Sequence, residues 1–312
     1  MKKDFVSIKD LSKKEVEELF LLATKLKQTR PNVGETHAVA QITGQGQALP
    51  LQDKTFALVF EKPSLRTRVT FETGIYELGG KSIYLSPQDI GLGKRESISD
   101  VARNLSLWVS GIAARVFSHQ SVVELAEYAS IPVINALSDL EHPCQAITDL
   151  FTVYEKFKAF KGLKFAYIGD GNNVCRSLML LAEICGLEMW VATPPGYEPD
   201  KKLQVTNHKS QVLNDPREAI KDADVIYTDV WASMGEEAEK EERLKIFKDF
   251  QVNSELLKLA KPDCLVMHCL PAHRGEEITS EVLDSKNSIV LRQAENRLHV
   301  QKALLTILLS SQ

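Results

Sequence analysis

Cysteine is scarce and unpaired in this chain. Its five cysteines, Cys144, Cys175, Cys185, Cys264 and Cys269, form no CxxC pair, and their odd number argues against a disulfide framework. A reducing, cytoplasmic setting is the expectation. No apolar run approaches the ~20 residues of a membrane span, so no membrane partner is expected. MKKDFVSIKDLSKKEVEELF carries lysines but no apolar core and no small-residue cleavage site, so it does not read as a secretory signal. No basic tract covers a face and the formal net charge is -4, which argues against nucleic acid as a partner. Internal repeats and low-complexity tracts are absent.

What remains is an ordinary globular composition, 44% hydrophobic and 26% charged, over 312 residues. That length is long for one core and comfortable for two domains. Ser12 and Glu15 make a capping box for a first helix lined by Val16, Leu19, Phe20 and Ala23. A polar stretch with Gly and Pro follows, TRPNVGETHAVAQITGQGQALPLQDK, and reads as a loop. Then TFALVF, KSIYLS, GIAARVF and PVINAL read as buried strands, with helices predicted near Arg66–Leu78, Ser97–Val109 and Val122–Tyr128. A second series, KFAYIG, MWVAT, VIYTDVW, CLVMHCL and SIVL, repeats the alternation. Strands alternating with helices predict an α/β fold of two consecutive domains, each a parallel sheet flanked by helices. A helix around Pro143–Lys156 crosses between them, and AENRLHVQKALLTILL reads as a final helix.

Open parallel sheets bind ligands at the carboxyl ends of their strands, so polar residues there are the candidates. After TFALVF comes KPSLRTRVTFETGIYELGG, a helix with Val69, Phe71, Ile75 and Leu78 on its apolar side and Gly79-Gly80 as a stop. SLRTR then occupies the first turn, where backbone N–H groups lack partners and the dipole end is positive. Hydroxyls, amides and guanidinium forks together suit a phosphate. The alternative is a Ser cap followed by solvated arginines. Arg115 ends an apolar strand run, where a charge needs an anion, either a ligand or an internal salt bridge. His142 precedes Pro143 at a predicted helix start and Gln145 follows by three; His142 is either structural or part of the same polar mouth.

The second series offers a different set. GDGNNV after KFAYIG resembles a dinucleotide fingerprint, but Val174 stands at the third glycine position and no acid ends MWVAT, so no nucleotide cofactor is expected. Asp229 ends VIYTD, where a carboxylate can hold an ammonium group. The charged run beyond the Ser233-Met234-Gly235 turn reads as a solvated face. His268, Cys269 and His273 cluster in CLVMHCLPAHRGEE, without a third and fourth ligand at zinc spacing, so no metal is expected. A Cys–His hydrolase is the alternative, but adjacent strand side chains face opposite ways, which leaves His268 badly placed to activate Cys269.

KPSLRTR, Arg115, HPCQ, DVWASMG, HCLPAHRGEE and AENR occur in the order found in the aspartate/ornithine carbamoyltransferase family, and the chain resembles that family over nearly its whole length. DVWASMG and HCLP resemble its ornithine-specific branch. The resemblance implies transfer of a carbamoyl group from carbamoyl phosphate to the δ-amine of L-ornithine, giving L-citrulline and phosphate. It implies a carbamoyl-phosphate domain over 1–142 plus a C-terminal helix about 295–312 returning to it, and an ornithine domain over 143–294. Ser64, Leu65 through its backbone, Arg66 and Thr67 would cradle phosphate, with Arg297 reaching the same region. Arg115 would bridge phosphate and carbonyl oxygen, His142 would polarise the carbonyl, and Gln145 and the Cys269-Leu270 backbone would hold the carbamoyl amine. Arg66, Arg115, His142 and Cys269 are the expected catalytic group, with Cys269 an anchor and not a covalent nucleophile. Asn173, Asp229, Ser233 and Met234 match ornithine-binding positions, Asp229 pairing with the α-ammonium. A homotrimer or an assembly of trimers, domain closure and no metal or cofactor complete the expectation.

Two positions depart from the family pattern. Leu65 stands where Thr is usual, and a lost hydroxyl would cost a charged hydrogen bond of about 1.5–3 kcal/mol unless the position acts through its amide. Gly91, in SPQDIGLGKRES, stands where a Gln or His often reaches the neighbouring subunit, with Lys94 or Arg95 as possible replacements. Rival acceptors are N-acyl-ornithine, putrescine and aspartate. A Cys269-dependent amidase is the rival from another class, and a silent phosphate-binding relative a third.

Overall fold

A computed structural model describes residues 2–30, 49–200, 210–232 and 239–310. Ser233 and Met234 lie outside the described residues. By contact the chain forms two units, residues 1–147 with 296–312 and residues 148–295, so the chain changes unit inside two helices.

The first unit runs α1 (Lys13–Gln28), β1 (Thr55–Phe60), α2 (Leu65–Glu77), β2 (Lys81–Leu85), α3 (Pro87–Ile90), α4 (Ile98–Trp108), β3 (Gly111–Arg115), α5 (His119–Tyr128), β4 (Val133–Leu137) and the start of α6 (Pro143–Phe157). Its four strands are parallel in the order β2-β1-β3-β4. On one face Ala57, Val59, Ile112, Ala114 and Val133 pack with Val101, Leu105, Val122 and Leu125 of α4 and α5. The two-residue spacing along each strand is the period of a pleated sheet. Each fully buried Val, Leu or Ile contributes about 1.5–3 kcal/mol. Helix caps contribute about 1 kcal/mol each. The apolar faces therefore fix the layers, and the caps fix where each helix starts: Ser12, Ser64, Ser97 and Ser118 all accept from first-turn amides. The free edge of β4 is covered by the N-terminal segment, Phe5 exchanging backbone hydrogen bonds with Val133 and Asn135 at 2.9 and 2.8 Å.

The second unit continues α6 and runs β5 (Lys164–Ile168), α7 (Asn173–Cys185), β6 (Glu188–Ala192), β7 (Gln211–Leu213), α8 (Pro216–Ile220), β8 (Val225–Thr228), α9 (Lys240–Ile246), α10 (Ser254–Leu257), β9 (Leu265–His268), α11 (Ser280–Leu283) and the start of α12 (Val290–Ser310). Its five parallel strands lie in the order β7-β6-β5-β8-β9. Ala166, Ile168, Ile226 and Val266 face Ala219, Ile220, Leu256 and Val282.

Three local expectations are corrected. SIVL is not a strand: Ser288 makes one isolated bridge to Val266, and Val290 begins α12. β7, three residues with two exposed, carries no apolar run and went unpredicted. Val69 is not on the buried side of α2; it is 48% exposed, whereas Phe71, Ile75 and Leu78 are buried.

Candidate active site

In the first unit the strand order reverses at β1 and β3, and Phe60 and Arg115, their last residues, are in register. Such a reversal is where open sheets bind ligands. The β3–β4 register slips between Ala114 and Arg115, a bulge at the residue that carries the charge. Bulges of this kind re-aim a side chain. Arg115 is buried.

The β1–α2 turn brings the first turn of α2 to the same strand ends. Ser64 is its N-cap, accepting from the Thr67 amide at 3.3 Å. Leu65 opens the helix with its side chain 74% exposed, so what it offers inward is backbone. The two arginines of SLRTR separate. Arg68 pairs with Glu72 at 2.9 Å and lies over the Tyr84 ring at 3.7 Å. Arg66 is close enough for its charge to act on His142. His142 is buried at the N-terminal boundary of α6, its carbonyl accepting from Gln145 and Ala146 amides at 3.1 Å. Burial, then the charges of Arg297, Arg115 and Arg66, hold its pKa well below the usual imidazole value. His142 is therefore a neutral imidazole among cations. Arg297, in α12, donates to Gln145 Oε1 at 2.7 Å and to Thr67 Oγ1 at 2.9 Å. Three guanidinium groups, a neutral histidine, a glutamine and a helix N-terminus thus meet in one unit. Cys144 is buried in the first turn of α6 and donates to the Asn135 carbonyl at 3.4 Å, and burial pushes its thiol up to about 12.

Gly91 has a local reason. It ends α3 in the left-handed region at φ 51°, where glycine is favoured. Lys94 and Arg95 beside it are exposed.

In the second unit the reversal falls between β5 and β8. Gly171 in GDGNN is explained by packing: a Cβ there would collide with the backbone of Glu198 and Pro199. Asn172 caps α7, its Oδ1 accepting from the Val174 and Cys175 amides at 3.0 Å, and Asn173 is the first helical residue. Thr228 pairs with His268 across β8 and β9, so Asp229 and Cys269 emerge side by side. Asp229 is buried and its carboxylate accepts three hydrogen bonds: from Cys269 Sγ at 2.9 Å, the Val230 amide at 2.8 Å and Asn172 Nδ2 at 2.8 Å.

His268 turns away from catalysis. Its Nδ1 accepts from the Leu270 amide at 2.8 Å, so the ring proton sits on Nε2 and is donated to Glu277 at 3.0 Å. The imidazole therefore braces the turn that carries Leu270, a non-glycine residue at φ 59°. Spacing alone did not show that Asp229, His268 and Cys269 each bring a donor atom within 4.8 Å of one another. The expectation of no third ligand beside His268 and Cys269 is corrected in that respect. These donors are already engaged in the hydrogen bonds just described.

Two residues escaped the sequence reading. The charged run after residue 238 is not wholly solvated: Arg243 is buried and donates to Asp170 at 3.0 Å and to the Trp231 carbonyl at 2.8 Å. A charge run carries no mark of which member turns inward. Asn172 looked like one more residue of a turn, although an Asn directly before a helix is a legible cap signal.

One half is suited to an anion and the other to a cation, the pattern of an enzyme that joins two small charged substrates. Residues 3–155 match the carbamoyl-P binding domain of aspartate/ornithine carbamoyltransferase, and residues 161–308 match its Asp/Orn binding domain. The chain belongs to the aspartate/ornithine carbamoyltransferase family. It is similar to the ornithine carbamoyltransferase of Thermococcus kodakarensis, with 51% identity over 98% of this chain and 96% of that one. The ornithine carbamoyltransferase of Methanosarcina acetivorans is also 51% identical, over 98% of each chain. Among solved structures, that of the Thermus thermophilus ornithine carbamoyltransferase superposes with a TM-score of 0.88 at 45% identity, covering 99% of both chains.

Proposed function

We propose that the protein is an ornithine carbamoyltransferase, transferring the carbamoyl group of carbamoyl phosphate to the δ-amine of L-ornithine with release of L-citrulline and phosphate. The observation that carries this reading is Asp229, a buried carboxylate fixed by three donors at the end of β8. It suits an α-ammonium group, would repel aspartate, and would lack a partner in an N-acylated ornithine. Putrescine has the charge but no carboxylate for Asn173 to address. A thiol amidase is disfavoured because both nitrogens of His268 are engaged away from Cys269.

The first unit supplies what the donor needs. Ser64 and the first-turn amides of Leu65 and Arg66 hold phosphate with the Arg66 and Arg115 guanidinium groups; Thr67 and Arg297 complete that wall. The exposed Leu65 side chain makes the backbone the acting group there, which keeps the departure from Thr inexpensive. As the amine attacks, charge builds first on the carbonyl oxygen and then on the departing phosphate. Arg115 and neutral His142 donate to the first, Arg66 and Arg115 to the second, the electrostatic contribution that is usually the largest. Gln145, fixed by Arg297, accepts from the carbamoyl amine. The second unit holds the acceptor: Asp229 takes the α-ammonium, Cys269 keeps Asp229 aligned, and Asn173 addresses the carboxylate. The δ-amine must attack as the free base, although alkylamines titrate near ~10 in water. A cation-rich surround lowers that value.

The decisive assay measures citrulline or its analogues from carbamoyl phosphate against L-ornithine, N-acetylornithine, putrescine and aspartate in parallel. Ornithine is expected to be the acceptor by at least tenfold in kcat/KM, and a preference for another amine overturns the reading.

The synthetic direction, and with it a role in arginine biosynthesis, is supported by relatives from Pyrococcus furiosus and Campylobacter jejuni that are named anabolic. Five free thiols fit a cytoplasmic location. A homotrimer is supported by an exposed apolar stripe on α2, where Leu65, Val69 and Tyr76 are 74%, 48% and 73% exposed. These three helical positions fall within about 40° of one another at 100° per residue.

A further inference from the structure

We propose that Asn172 is a positioning residue for the acceptor site, an amide whose orientation is set by the cap of α7 and which in turn sets the orientation of the Asp229 carboxylate. The proposal rests on the reading of Asp229 as the ornithine anchor. Asn172 Oδ1 faces three donors, the Val174 and Cys175 amides at 3.0 Å and the Tyr167 hydroxyl at 3.2 Å. Burial raises the Tyr167 pKa well above the phenol value, so that hydroxyl keeps its proton. With the oxygen committed, the amide nitrogen has one direction left, and it lies 2.8 Å from Asp229 Oδ2. A flipped amide would set NH2 against two backbone N–H groups and an oxygen against a carboxylate, so the geometry admits one assignment.

Asp229 needs this help. Its Oδ1 is held by Val230 N and Cys269 Sγ, both on one side of the carboxylate. Oδ2 is held by Asn172. Removing the amide donor releases rotation of the carboxylate and loosens the direction in which its open lone pairs meet an ammonium group. Asparagine is also the residue that does both tasks. Aspartate would cap α7 equally well but oppose Asp229 with a like charge, and serine would cap but has no group reaching Asp229.

Asn172→Asp and Asn172→Ser separate the two tasks, because each keeps an oxygen to cap the helix. Steady-state kinetics on both substrates, melting temperature, and binding of 2-aminopentanoate, which carries ornithine's α-groups without the δ-amine, are the readouts. Both variants are expected to melt within a few degrees of the parent, raise the ornithine KM at least tenfold, and leave the carbamoyl phosphate KM within twofold. In Asn172→Asp, paired carboxyls share a proton as pH falls. Affinity for the analogue should then recover from pH 8 to pH 6 in Asn172→Asp and not in Asn172→Ser. A parental ornithine KM in both variants, or a parallel rise in both KM values with lost thermal stability and no pH recovery, overturns the proposal. Failure of the unaltered protein to use ornithine overturns the functional reading itself, an outcome distinct from unchanged KM in the variants.

Discussion

Arg297 and Thr67, 230 residues apart in sequence, meet at 2.9 Å in the first unit. The same guanidinium also holds Gln145, so one side chain from α12 ties the first turn of α2 to the first turn of α6. Arg297→Lys removes the fork while keeping the charge. A rise of roughly tenfold or more in the carbamoyl phosphate KM is expected, with a stability loss of about 1–3 kcal/mol from hydrogen-bonding groups left unmatched. Kinetics and denaturant unfolding measure the two effects, and an unchanged KM would remove Arg297 from the donor site.

Arg66→Ala should lower turnover roughly a hundredfold or more, because it removes charge stabilisation of the departing phosphate. Arg66 is half-buried and follows the cap Ser64, so the helix is retained. Single-turnover rates and circular dichroism check this; wild-type turnover would exclude the α2 cradle from the chemistry.

Asp229→Asn retains the shape of the anchor and deletes its charge. Loss of a charged hydrogen bond of about 1.5–3 kcal/mol corresponds to roughly ten- to hundredfold in ornithine KM. The carbamoyl phosphate KM should stay within twofold. Equal effects on both substrates would contradict an acceptor-specific role.

His142 gives two pH signatures. Its folded pKa is depressed, by burial first and by Arg297, Arg115 and Arg66 after it. Below the ordinary value of ~6.5 the unfolded chain takes up a proton that the folded chain refuses, so stability falls as pH drops through that window. His142→Gln should flatten this part of the stability curve. In the active enzyme no limb of the kcat/KM profile near pH 6.5 should belong to His142, and the acid limb should instead follow the ornithine amine. A limb near 6.5 that disappears in His142→Gln would refute the neutral imidazole.

Tyr76→Glu places a charge in the exposed stripe of α2, away from the first turn. Light scattering is expected to show a trimer for the parent and its loss in the variant, with the helical spectrum unchanged. An unaltered mass would assign the stripe some other role.

Much of this site was readable in sequence because each residue carried a local contradiction. Arg115 is a charge closing an apolar run, and His142 sits before a proline that can only open a helix. Single-residue patterns gave no access to directions in space. Arg66 and Arg68 are alike in sequence, yet one lies near His142 and the other is drawn to Glu72 and Tyr84. SIVL has the composition of a strand but opens a helix, since four apolar residues fit either period. β7 was missed because so short an edge strand, exposed at two of three positions, has no need of apolar alternation. Asn172 and Asp229 are 57 positions apart, and only the β5–β8 pairing makes them neighbours.

The division of the chain has a consequence for biosynthesis. Residues 296–312 belong with residues 1–147, while 148–295 form the other unit without a break. At about 5–20 residues per second, translation spends roughly 7 to 30 seconds on the intervening stretch before Arg297 is made. The strands of the first unit are therefore all made well before Arg297, the residue that ties Thr67 to Gln145, so that unit waits for its last tie while the whole second unit is synthesised.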